Sequence, residues 1–344
     1  MTTPDIRTSG PGAETTAAAG ETRASARGEG TSDVVTVGES MALFKPETVG
    51  SLPHAGTFTL GMGGAESNVA IALKRLDTSV AWVGRLGNDS LGQLIRRELL
   101  AESVQVVSVW DEEAATGLMI KERRTPSSTK VSYYRGNSAG SRLCPDDIPA
   151  DLIHGARLLH LTGITPALSA SAAAAVQYAI DCAKAAGVKV SFDLNYRSSL
   201  WSMEEAKSLY RDLIAQADVV FAGEDEAAIV VGSAEDPMHL AHRLAECGPN
   251  QVVIKLGPAG CVALVDGVEY GQPAIRVEVV DTVGAGDAFV AGYLAEWLRD
   301  ESVPQRLLTA VRTGAFACMV PGDWEGMPYR SELSLLDATE PVSR

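Results

Sequence analysis

The stretch Asp281–Tyr293, DTVGAGDAFVAGY, places three small residues directly before a carboxylate and an apolar helical pattern. Gly284, Ala285 and Gly286 leave the backbone accessible, and Asp287 follows where the helix should begin. The first N–H groups of a helix lack intrahelical partners and attract anions. A carboxylate there can accept the proton of an attacking hydroxyl while the N–H groups hold a phosphoryl group. The same residues also fit an ordinary N-cap, so the stretch alone leaves both interpretations open.

The composition describes an acidic chain that can bury a large core. It has 344 residues, 46% of them hydrophobic, which suffices for one large domain or two smaller ones. Lysine and arginine number 29 against 44 aspartates and glutamates, so the formal charge is −15. This balance argues against nucleic acid or an anionic membrane as the main partner, although a small anion held by a few arginines fits. No apolar run approaches the ~18 residues of a membrane helix, so we expect no membrane span.

Cysteine and histidine usage indicates neither a disulfide framework nor a zinc site. The cysteines are odd in number and no pair has CxxC spacing, which favours a reducing, cytoplasmic location. His239 and His242 lie three residues apart and could share a helix face, but no third ligand is nearby. We therefore favour a solvated helix face for these two histidines. The cysteines are Cys144, Cys182, Cys247, Cys261 and Cys318.

Hydrophobic periodicity predicts an α/β domain between two less regular ends. Residues 1–32 are rich in Thr, Ala, Gly, Ser and charge, so we expect a disordered N-terminal extension. Within 33–330, strands and amphipathic helices alternate, which predicts a mostly parallel central sheet with helices on both faces. A predicted hairpin within 114–137, with the segment at about 42–62, interrupts this rhythm and could form a small β lid over the cleft. Residues 331–344 are expected to be a C-terminal tail.

Polar and glycine residues gather where the predicted parallel strands end. Ligands of such sheets bind outside the carboxyl ends of the strands, so these residues mark the expected cleft. They are Gly38, Asp193, Asn195, Gly223, Lys255 and Gly257.

Two motifs together resemble a known family. The stretch DTVGAGDAFVAGYL is similar to the C-terminal signature of the ribokinase-like (phosphofructokinase-B-type) sugar kinases, and GMGGAESNVAIALKRL is similar to their N-terminal glycine-rich signature. The motifs occur in the family's order, and the likeness covers roughly 33–330. The chain lacks a G-x-x-x-x-G-K-[ST] loop and the protein-kinase motifs, so kinase activity would use this other scaffold. The resemblance implies the ribokinase-like fold and, within the family, is greatest to the 2-keto-3-deoxygluconate kinases.

The resemblance also implies roles for individual residues. It makes Asp287 the catalytic base and Gly284, Ala285 and Gly286 the anion hole. Residues matching the substrate-binding positions are Gly64, Ala65, Glu66, Asn68, Tyr133, Tyr134, Arg135, Arg197 and Asp323. Residues matching the nucleotide-side positions are Asp193, Asn195, Lys255, Gly257 and Gly260.

Arginine chemistry is compatible with an acidic acceptor. Arginine recognises carboxylates through paired hydrogen bonds, and Arg135 and Arg197 are the candidates here. Either arginine could instead be a solvated or structurally paired side chain. Tyr133 and Tyr134 alternate along a predicted strand, so only one of them should point into the site.

The sequence departs from the family pattern at two positions. The family's N-x-x-E motif reads GEDE here, with Gly223 in place of asparagine and Glu226 retained. Magnesium binding through Glu226 is therefore expected to be indirect. Met119 stands where the ketodeoxygluconate kinases often have a tyrosine near the substrate.

Three functional hypotheses follow from these observations. The first is ATP- and Mg²⁺-dependent phosphorylation of a sugar acid, 2-keto-3-deoxygluconate, at its terminal hydroxyl to give the 6-phosphate. The second keeps the reaction but changes the acceptor to a neutral sugar such as fructose or ribose. The third is a non-catalytic protein that binds a sugar or a nucleotide. The resemblance also implies a cytoplasmic homo-oligomer and leaves open a monovalent cation such as K⁺ near Asp281.

Overall fold

Short buried runs rich in valine and other apolar residues form the strands of the central sheet. The computed structural model describes residues 32–125 and 128–337; residues 1–31 of the expected N-terminal extension lie outside these ranges, whereas Ser32 is described and buried. The strands are β1 (Val34–Val37), β2 (Met41–Pro46), β3 (Phe58–Gly63), β4 (Val80–Gly87), β5 (Gln105–Asp111), β6 (Leu118–Thr125), β7 (Ser128–Tyr134), β8 (Leu158–Thr162), β9 (Lys189–Asp193), β10 (Val219–Gly223), β11 (Gln251–Lys255), β12 (Cys261–Val265) and β13 (Val268–Gln272).

Two sheets are present within the described residues. Nine strands form the central sheet in the order β13-β12-β11-β10-β9-β8-β1-β4-β5, and the pairs from β11 to β5 are parallel. β12 and β13 add an antiparallel hairpin at one edge. Four strands form the second sheet in the order β3-β2-β6-β7, with β6 and β7 paired antiparallel. The mostly parallel sheet, the interrupting hairpin and the small second sheet confirm the predicted fold class.

The helices cover both faces of the central sheet. Asp89 caps α2, where its side chain accepts a hydrogen bond from the Gly92 N–H at 2.8 Å. No helix of the described ranges combines the length and apolarity that crossing a membrane requires. The helices are α1 (Ala65–Arg75), α2 (Ser90–Ala101), α3 (Ala150–His154), α4 (Ala170–Ala185), α5 (Met203–Ile214), α6 (Glu224–Val231), α7 (Pro237–Ala245), α8 (Ala285–Leu298) and α9 (Val303–Cys318).

Alternating strand residues supply two separate cores. On β10, Val220 and Ala222 pack into the core covered by α4 to α7, whereas Val219 and Phe221 pack against α1, α8 and α9. Successive side chains of a strand point to opposite faces, so a strand buried on both sides is apolar throughout. The parallel pairing of these strands brings their carboxyl ends to one edge of the sheet, where the candidate site lies.

Some elements lie beyond what the periodicity indicated. The sequence patterns did not single out β5 or α9, although α9 packs along α8. Gly292 permits this close approach, because a Cβ there would lie 2.4 Å from the Thr313 hydroxyl oxygen. The 3-10 helix Arg330–Asp337 overlaps the start of the expected C-terminal tail, and its Leu333 is buried in the core.

Candidate active site

The loop before α8 requires glycine at Gly284. This residue has a φ of 76°, and a Cβ on it would lie 1.8 Å from the Asp323 carbonyl oxygen. Only glycine combines the left-handed conformation with so close a backbone contact. α8 then begins at Ala285, so the N–H groups of Gly286 and Asp287 lie in the first, open turn of the helix. The predicted helix start and bare loop are both present.

Asp287 is buried and held by a residue from the other motif. Its Oδ2 accepts a hydrogen bond of 2.8 Å from the Nδ2 of Asn68 on α1. Burial raises the pKa of Asp287 to about 7, and the carboxylate of Asp193 adds to this rise. The Asn68 hydrogen bond and the charges of Arg197 and Lys255 oppose it. A carboxylate with this pKa can take up and release a proton near neutral pH.

An ion pair between Lys255 and Asp193 lies beside Asp287. The Lys255 ammonium at the end of β11 donates to both carboxylate oxygens of Asp193, at 2.7 and 2.9 Å. Burial alone would lower the pKa of Lys255, but the carboxylates of Asp193 and Glu226 outweigh it and raise that pKa. Lys255 therefore stays charged at the edge of the sheet.

These groups line a cavity of about 580 Å³ between the two sheets. The four-stranded sheet contributes apolar and aromatic side chains, and the central sheet contributes most of the charged ones. Predicted site residues that line it are Gly64, Ala65, Asn68, Tyr133, Arg135, Asp193, Asn195, Arg197, Glu226, Lys255, Gly284, Gly286, Asp287 and Asp323. The other residues lining the cavity are Met41, Met119, Val131, Ile164, Gly223, Thr282 and Val283.

Glu66 and Tyr134 do not line this cavity. The Glu66 carboxylate accepts hydrogen bonds from the hydroxyls of Thr162 (2.7 Å) and Thr165 (2.6 Å), and burial raises its pKa. The Glu66 carboxyl group packs against Gly38, where a Cβ would come within 2.2 Å of the Glu66 carboxyl carbon. Tyr134 is 61% exposed on the outer face of the second sheet. The alternation of the two tyrosines thus directs Tyr133 alone inward, as the strand pattern predicted.

Arg135 reaches the cavity with a carboxylate partner that sequence reasoning missed. Glu39 is 2% exposed and accepts from the Arg135 Nε at 2.7 Å, and it also accepts from the Ser138 hydroxyl. The guanidinium also lies 5.8 Å from the ring centroid of Tyr133. The sequence predicted that Gly38 ends a strand at the cleft, so the acidic residue that follows it, Glu39, could have been recognised as a candidate site residue.

Arg197 differs from Arg135 because it forms no ion pair within the described residues. Its side chain is exposed, and its one hydrogen bond is a long contact of 3.5 Å to the Tyr196 carbonyl. It lines the same cavity as Asp287. Arg197 is therefore the cavity arginine whose charge is still available to a ligand.

Asp323 belongs to a network that includes a second missed residue, Lys121. The Lys121 ammonium lies 2.5 Å from an Asp281 carboxylate oxygen and 3.5 Å from one of Asp323. Burial raises the pKa of Asp323 to about 6, although Lys121 and Lys45 lower it. Lys121 shares a face of β6 with Met119, which lines the cavity, so strand alternation was the signal that could have found it.

An apolar pocket of about 540 Å³ adjoins the cavity. The two share Lys255, Thr282 and Gly286, so a single ligand could extend from one into the other. Gly257, Gly260 and Ala285, predicted for the nucleotide side and the anion hole, line this pocket. Its other residues are Pro258, Ala274, Ile275, Arg276, Val277, Val279, Phe289, Val311, Gly314, Ala315 and Cys318.

Glu226 lines the cavity, but both of its carboxylate oxygens already accept hydrogen bonds from backbone N–H groups. One carboxylate oxygen accepts from the Tyr196 N–H at 2.9 Å and the other from the Gly223 N–H at 2.7 Å. Gly223 itself brings no side chain. Within the described ranges, no group of three or more His, Cys, Asp or Glu side chains is placed so that it could hold a metal ion. Glu226 fits a Mg²⁺ ion that takes most of its ligands from phosphate and water.

Known proteins match the chain over nearly its whole length. The model of the pfkB family carbohydrate kinases matches residues 31–329. This chain belongs to the pfkB family of carbohydrate kinases. The 2-dehydro-3-deoxygluconokinase of Bacillus subtilis is 38% identical over 90% of this chain and 97% of its own length. Fructokinase-2 of Solanum lycopersicum is 32% identical over 88% of this chain and 95% of its own length.

Solved structures of the family have the same fold. The 2-dehydro-3-deoxygluconokinase of Thermotoga maritima superposes with a TM-score of 0.82 at 26% identity, covering 89% of this chain and 99% of that one. An uncharacterised sugar kinase of Pyrococcus horikoshii in complex with ATP gives a TM-score of 0.76 at 26% identity, covering 88% and 97%. The predicted family and the assignment as a carbohydrate kinase are confirmed.

Proposed function

We propose that this carbohydrate kinase transfers the γ-phosphoryl group of ATP to the terminal hydroxyl of a sugar acid, 2-keto-3-deoxygluconate, giving the 6-phosphate. The observation that carries the proposal is the buried Asp287 carboxylate at the open first turn of α8, in a cavity that also holds Arg197. The relative of Bacillus subtilis, named for the same acceptor, supports this choice.

Asp287 acts as the general base in this proposal. The acceptor oxygen attacks the γ-phosphorus, the bond from that phosphorus to the bridging oxygen of ADP breaks, and the hydroxyl proton passes to Asp287. Its pKa of about 7 supports the role, because about half of the carboxylate is ionised at neutral pH and that form is basic enough to accept a proton. Asn68 holds the carboxylate in place at 2.8 Å. Asn68 is thus a positioning residue for the base as well as a neighbour of the acceptor.

The backbone at Gly284, Ala285 and Gly286 stabilises the transferred group. The N–H groups of Gly286 and Asp287 lie in the open first turn of α8 and would face developing negative charge without having to reorganise, whereas the Ala285 N–H already donates to the Thr282 carbonyl at 3.3 Å. A phosphoryl group can approach because the three residues carry almost no side chain. Lys255, shared by the two pockets, adds a positive charge on the nucleotide side.

ATP fits the apolar pocket beside the cavity. Its base and ribose would lie against side chains such as Ile275 and Phe289, with Gly257 and Gly260 giving the backbone room, and its phosphates would point toward Gly286. Mg²⁺ supplies charge neutralisation of the β- and γ-phosphates, and Glu226 is the residue that would hold it. A requirement for ATP also supports the cytoplasmic location that the cysteine pattern predicts.

Arg197 carries the preference for an acid in this proposal. Arg135 is already neutralised by Glu39, whereas the guanidinium of Arg197 has no carboxylate partner in the described parts of the chain. A substrate carboxylate would supply that partner through charge-assisted hydrogen bonds. Asp193 and Asn195 lie in the same cavity and would orient the neighbouring hydroxyls and phosphates.

A neutral sugar is the second candidate acceptor. The Asp323 carboxylate and Met119 face the cavity, and an acid near Asp323 would meet like charge, whereas sugar hydroxyls can donate to it. The fructokinase of Solanum lycopersicum is a relative with such an acceptor in its name. Asp323 is shielded by Lys121, which reduces this repulsion and leaves the acid as the favoured acceptor.

An acceptor panel tests the proposal. ADP release is measured with 2-keto-3-deoxygluconate, fructose and ribose, and we expect kcat/KM for the acid to exceed the neutral sugars by about 100-fold. Equal or higher values for fructose or ribose would make the chain a neutral-sugar kinase. No ADP release with any acceptor, together with calorimetric binding of sugar or nucleotide, would make it a non-catalytic binding protein.

We further propose that the chain forms a homo-oligomer through the outer face of the second sheet. Phe58, Leu60 and Tyr134 are 41%, 49% and 61% exposed there, and strand pairing puts them on one face. Such an apolar face on a chain of net charge −15 fits a second copy better than solvent. Light scattering should find a dimer or larger species that the double substitution Phe58→Ser, Leu60→Ser dissociates; a monomeric starting protein would contradict this.

A further inference from the structure

Lys121 is a buried lysine whose ammonium lies between two carboxylates. The residue is 6% exposed, and its ammonium lies 2.5 Å from the Asp281 Oδ2 and 3.5 Å from the Asp323 Oδ1. Both carboxylates are less than one tenth exposed. Burial of so many charges is tolerated only when they compensate one another.

Asp281 accepts hydrogen bonds from two backbone segments next to the anion-binding loop, which consists of Gly284, Ala285 and Gly286. Its Oδ1 accepts from the Val283 N–H at 3.2 Å, and its Oδ2 accepts from the Gly322 N–H at 3.3 Å. The N–H groups of Val280 and Asp281 both donate to the Cys318 carbonyl. Val283 and Gly322 are the chain neighbours of Gly284 and Asp323, and Gly284 packs on the Asp323 backbone. A movement of Asp281 would therefore also move the anion-binding loop.

The same lysine connects the second sheet to this loop. Lys121 lies on β6, and the neighbouring Arg123 donates to the Val280 carbonyl at 3.2 Å. A further connection comes from Lys45 of β2, which forms an ion pair with Glu325. The other carboxylate oxygen of Glu325 accepts from the Asp323 N–H at 2.9 Å. Lys121 does not itself line the acceptor cavity, so it acts through the loop and not on the substrate.

A K⁺ ion near Asp281, left open by the sequence, fits poorly with these contacts. The carboxylate oxygen that would bind it already accepts from the ammonium of Lys121 and from a backbone N–H. An added cation would also lie next to a fixed positive charge, which opposes its binding.

We propose that Lys121 is the built-in cation of the anion-binding loop, which neutralises Asp281 and Asp323 and fixes the loop, so that this kinase requires no monovalent cation. The inference rests on the proposed phosphoryl transfer for its kinetic part. Lys121 is a positioning residue in this scheme, and its removal should expose a cation site between two carboxylates.

The kinetic test compares salts across a small set of variants. Kinase activity is measured in tetramethylammonium, K⁺ and methylammonium chloride for the starting protein, Lys121→Ala, Lys121→Arg and the exposed control Lys130→Ala. We expect the starting protein and Lys130→Ala to change less than about twofold among the salts. Lys121→Ala should lose about 100-fold in kcat in tetramethylammonium and recover about tenfold with K⁺ or methylammonium, with the acceptor KM nearly unchanged. Lys121→Arg should keep most of the activity because it keeps the charge.

Two outcomes would overturn the proposal. One is a starting protein that K⁺ activates about tenfold or more over tetramethylammonium. The other is a Lys121→Ala variant that retains normal kcat in every salt.

Thermal unfolding separates this proposal from the proposed function. K⁺ should raise the unfolding midpoint of Lys121→Ala but not that of the starting protein or Lys130→Ala, because only the first has an uncompensated pair of carboxylates. This readout needs no substrate, so it decides the role of Lys121 even if no acceptor is phosphorylated. Equal responses to K⁺ in the starting protein and Lys121→Ala would refute it.

Discussion

Two pockets meet at Gly286, and they differ in the chemistry of their walls. The cavity of about 580 Å³ holds titratable groups, among them Asp287, Asp323 and Arg197, whereas the pocket of about 540 Å³ is lined mainly by apolar side chains such as Ile275 and Phe289. Bond making therefore belongs to the polar side, and the apolar side supplies binding area. Substitutions in the cavity should change kcat, its pH dependence or the acceptor KM, while substitutions in the apolar pocket should change only nucleotide binding.

The largest effect is expected for Asp287→Asn on the polar side. The amide keeps the size of the side chain and can still accept from Asn68, but it cannot take up the hydroxyl proton. We expect kcat to fall about 10³-fold with little change in the binding of acceptor or of a non-hydrolysable ATP analogue, both measured by calorimetry. Near-normal turnover in this variant would show that Asp287 is not the base. It would also contradict the assignment of catalysis to the polar cavity and of nucleotide binding to the apolar pocket.

The sequence predicted the strand–helix alternation and the loop around Gly284 because both depend on neighbouring residues. Periodicity and glycine placement are local signals, and the structure places α1, α8 and the strand ends accordingly. Side-chain partners across the fold could not be predicted in this way. Asn68 contacts Asp287 across 219 positions and Glu39 contacts Arg135 across 96, so the first pair depends on how α1 packs against α8 and the second on how the two sheets meet.

The motif match also left the direction of individual side chains undetermined. Glu66 lies in the same glycine-rich motif as Asn68, two residues earlier on α1, yet it points to Thr162 and Thr165 instead of the cavity. Residues two apart on a helix lie about 200° around its axis, so one motif supplies both a site residue and a buried structural acid. Helix geometry alone could have separated their directions, but not their partners.

The next largest effect is expected for Arg197→Met, which removes the cavity arginine without an ion-pair partner. The KM for 2-keto-3-deoxygluconate should rise about 10- to 100-fold, because a charge-assisted hydrogen bond is lost, while neutral acceptors should change less than about threefold. Steady-state kinetics with both acceptor classes measures this. The exposed Arg96→Met serves as the control. Equal effects on acid and neutral acceptors would show that Arg197 does not read the carboxylate.

The pH dependence should also come from the polar side. Because burial raises the pKa of Asp287 to about 7, the base is protonated and inactive at lower pH. We therefore expect kcat/KM to fall about tenfold per pH unit below 7. Asp323, with a pKa raised to about 6, could produce a similar limb, so the profile of Asp323→Asn is the control. A limb that stays near 7 in that variant assigns it to Asp287, and a limb that disappears assigns it to Asp323.

The smallest effect is expected on the apolar side, for Gly314→Val on α9. A Cβ at this position lies 3.3 Å from the Ala285 carbonyl oxygen and 3.7 Å from the Phe289 Cβ, so valine narrows the apolar pocket. We expect the KM for ATP to rise about three- to tenfold, with kcat at saturating ATP and the acceptor KM unchanged. Gly314→Ala is the matched control and should give a smaller rise. An increase in the acceptor KM instead would mean that the two pockets do not divide acceptor and nucleotide as their walls indicate.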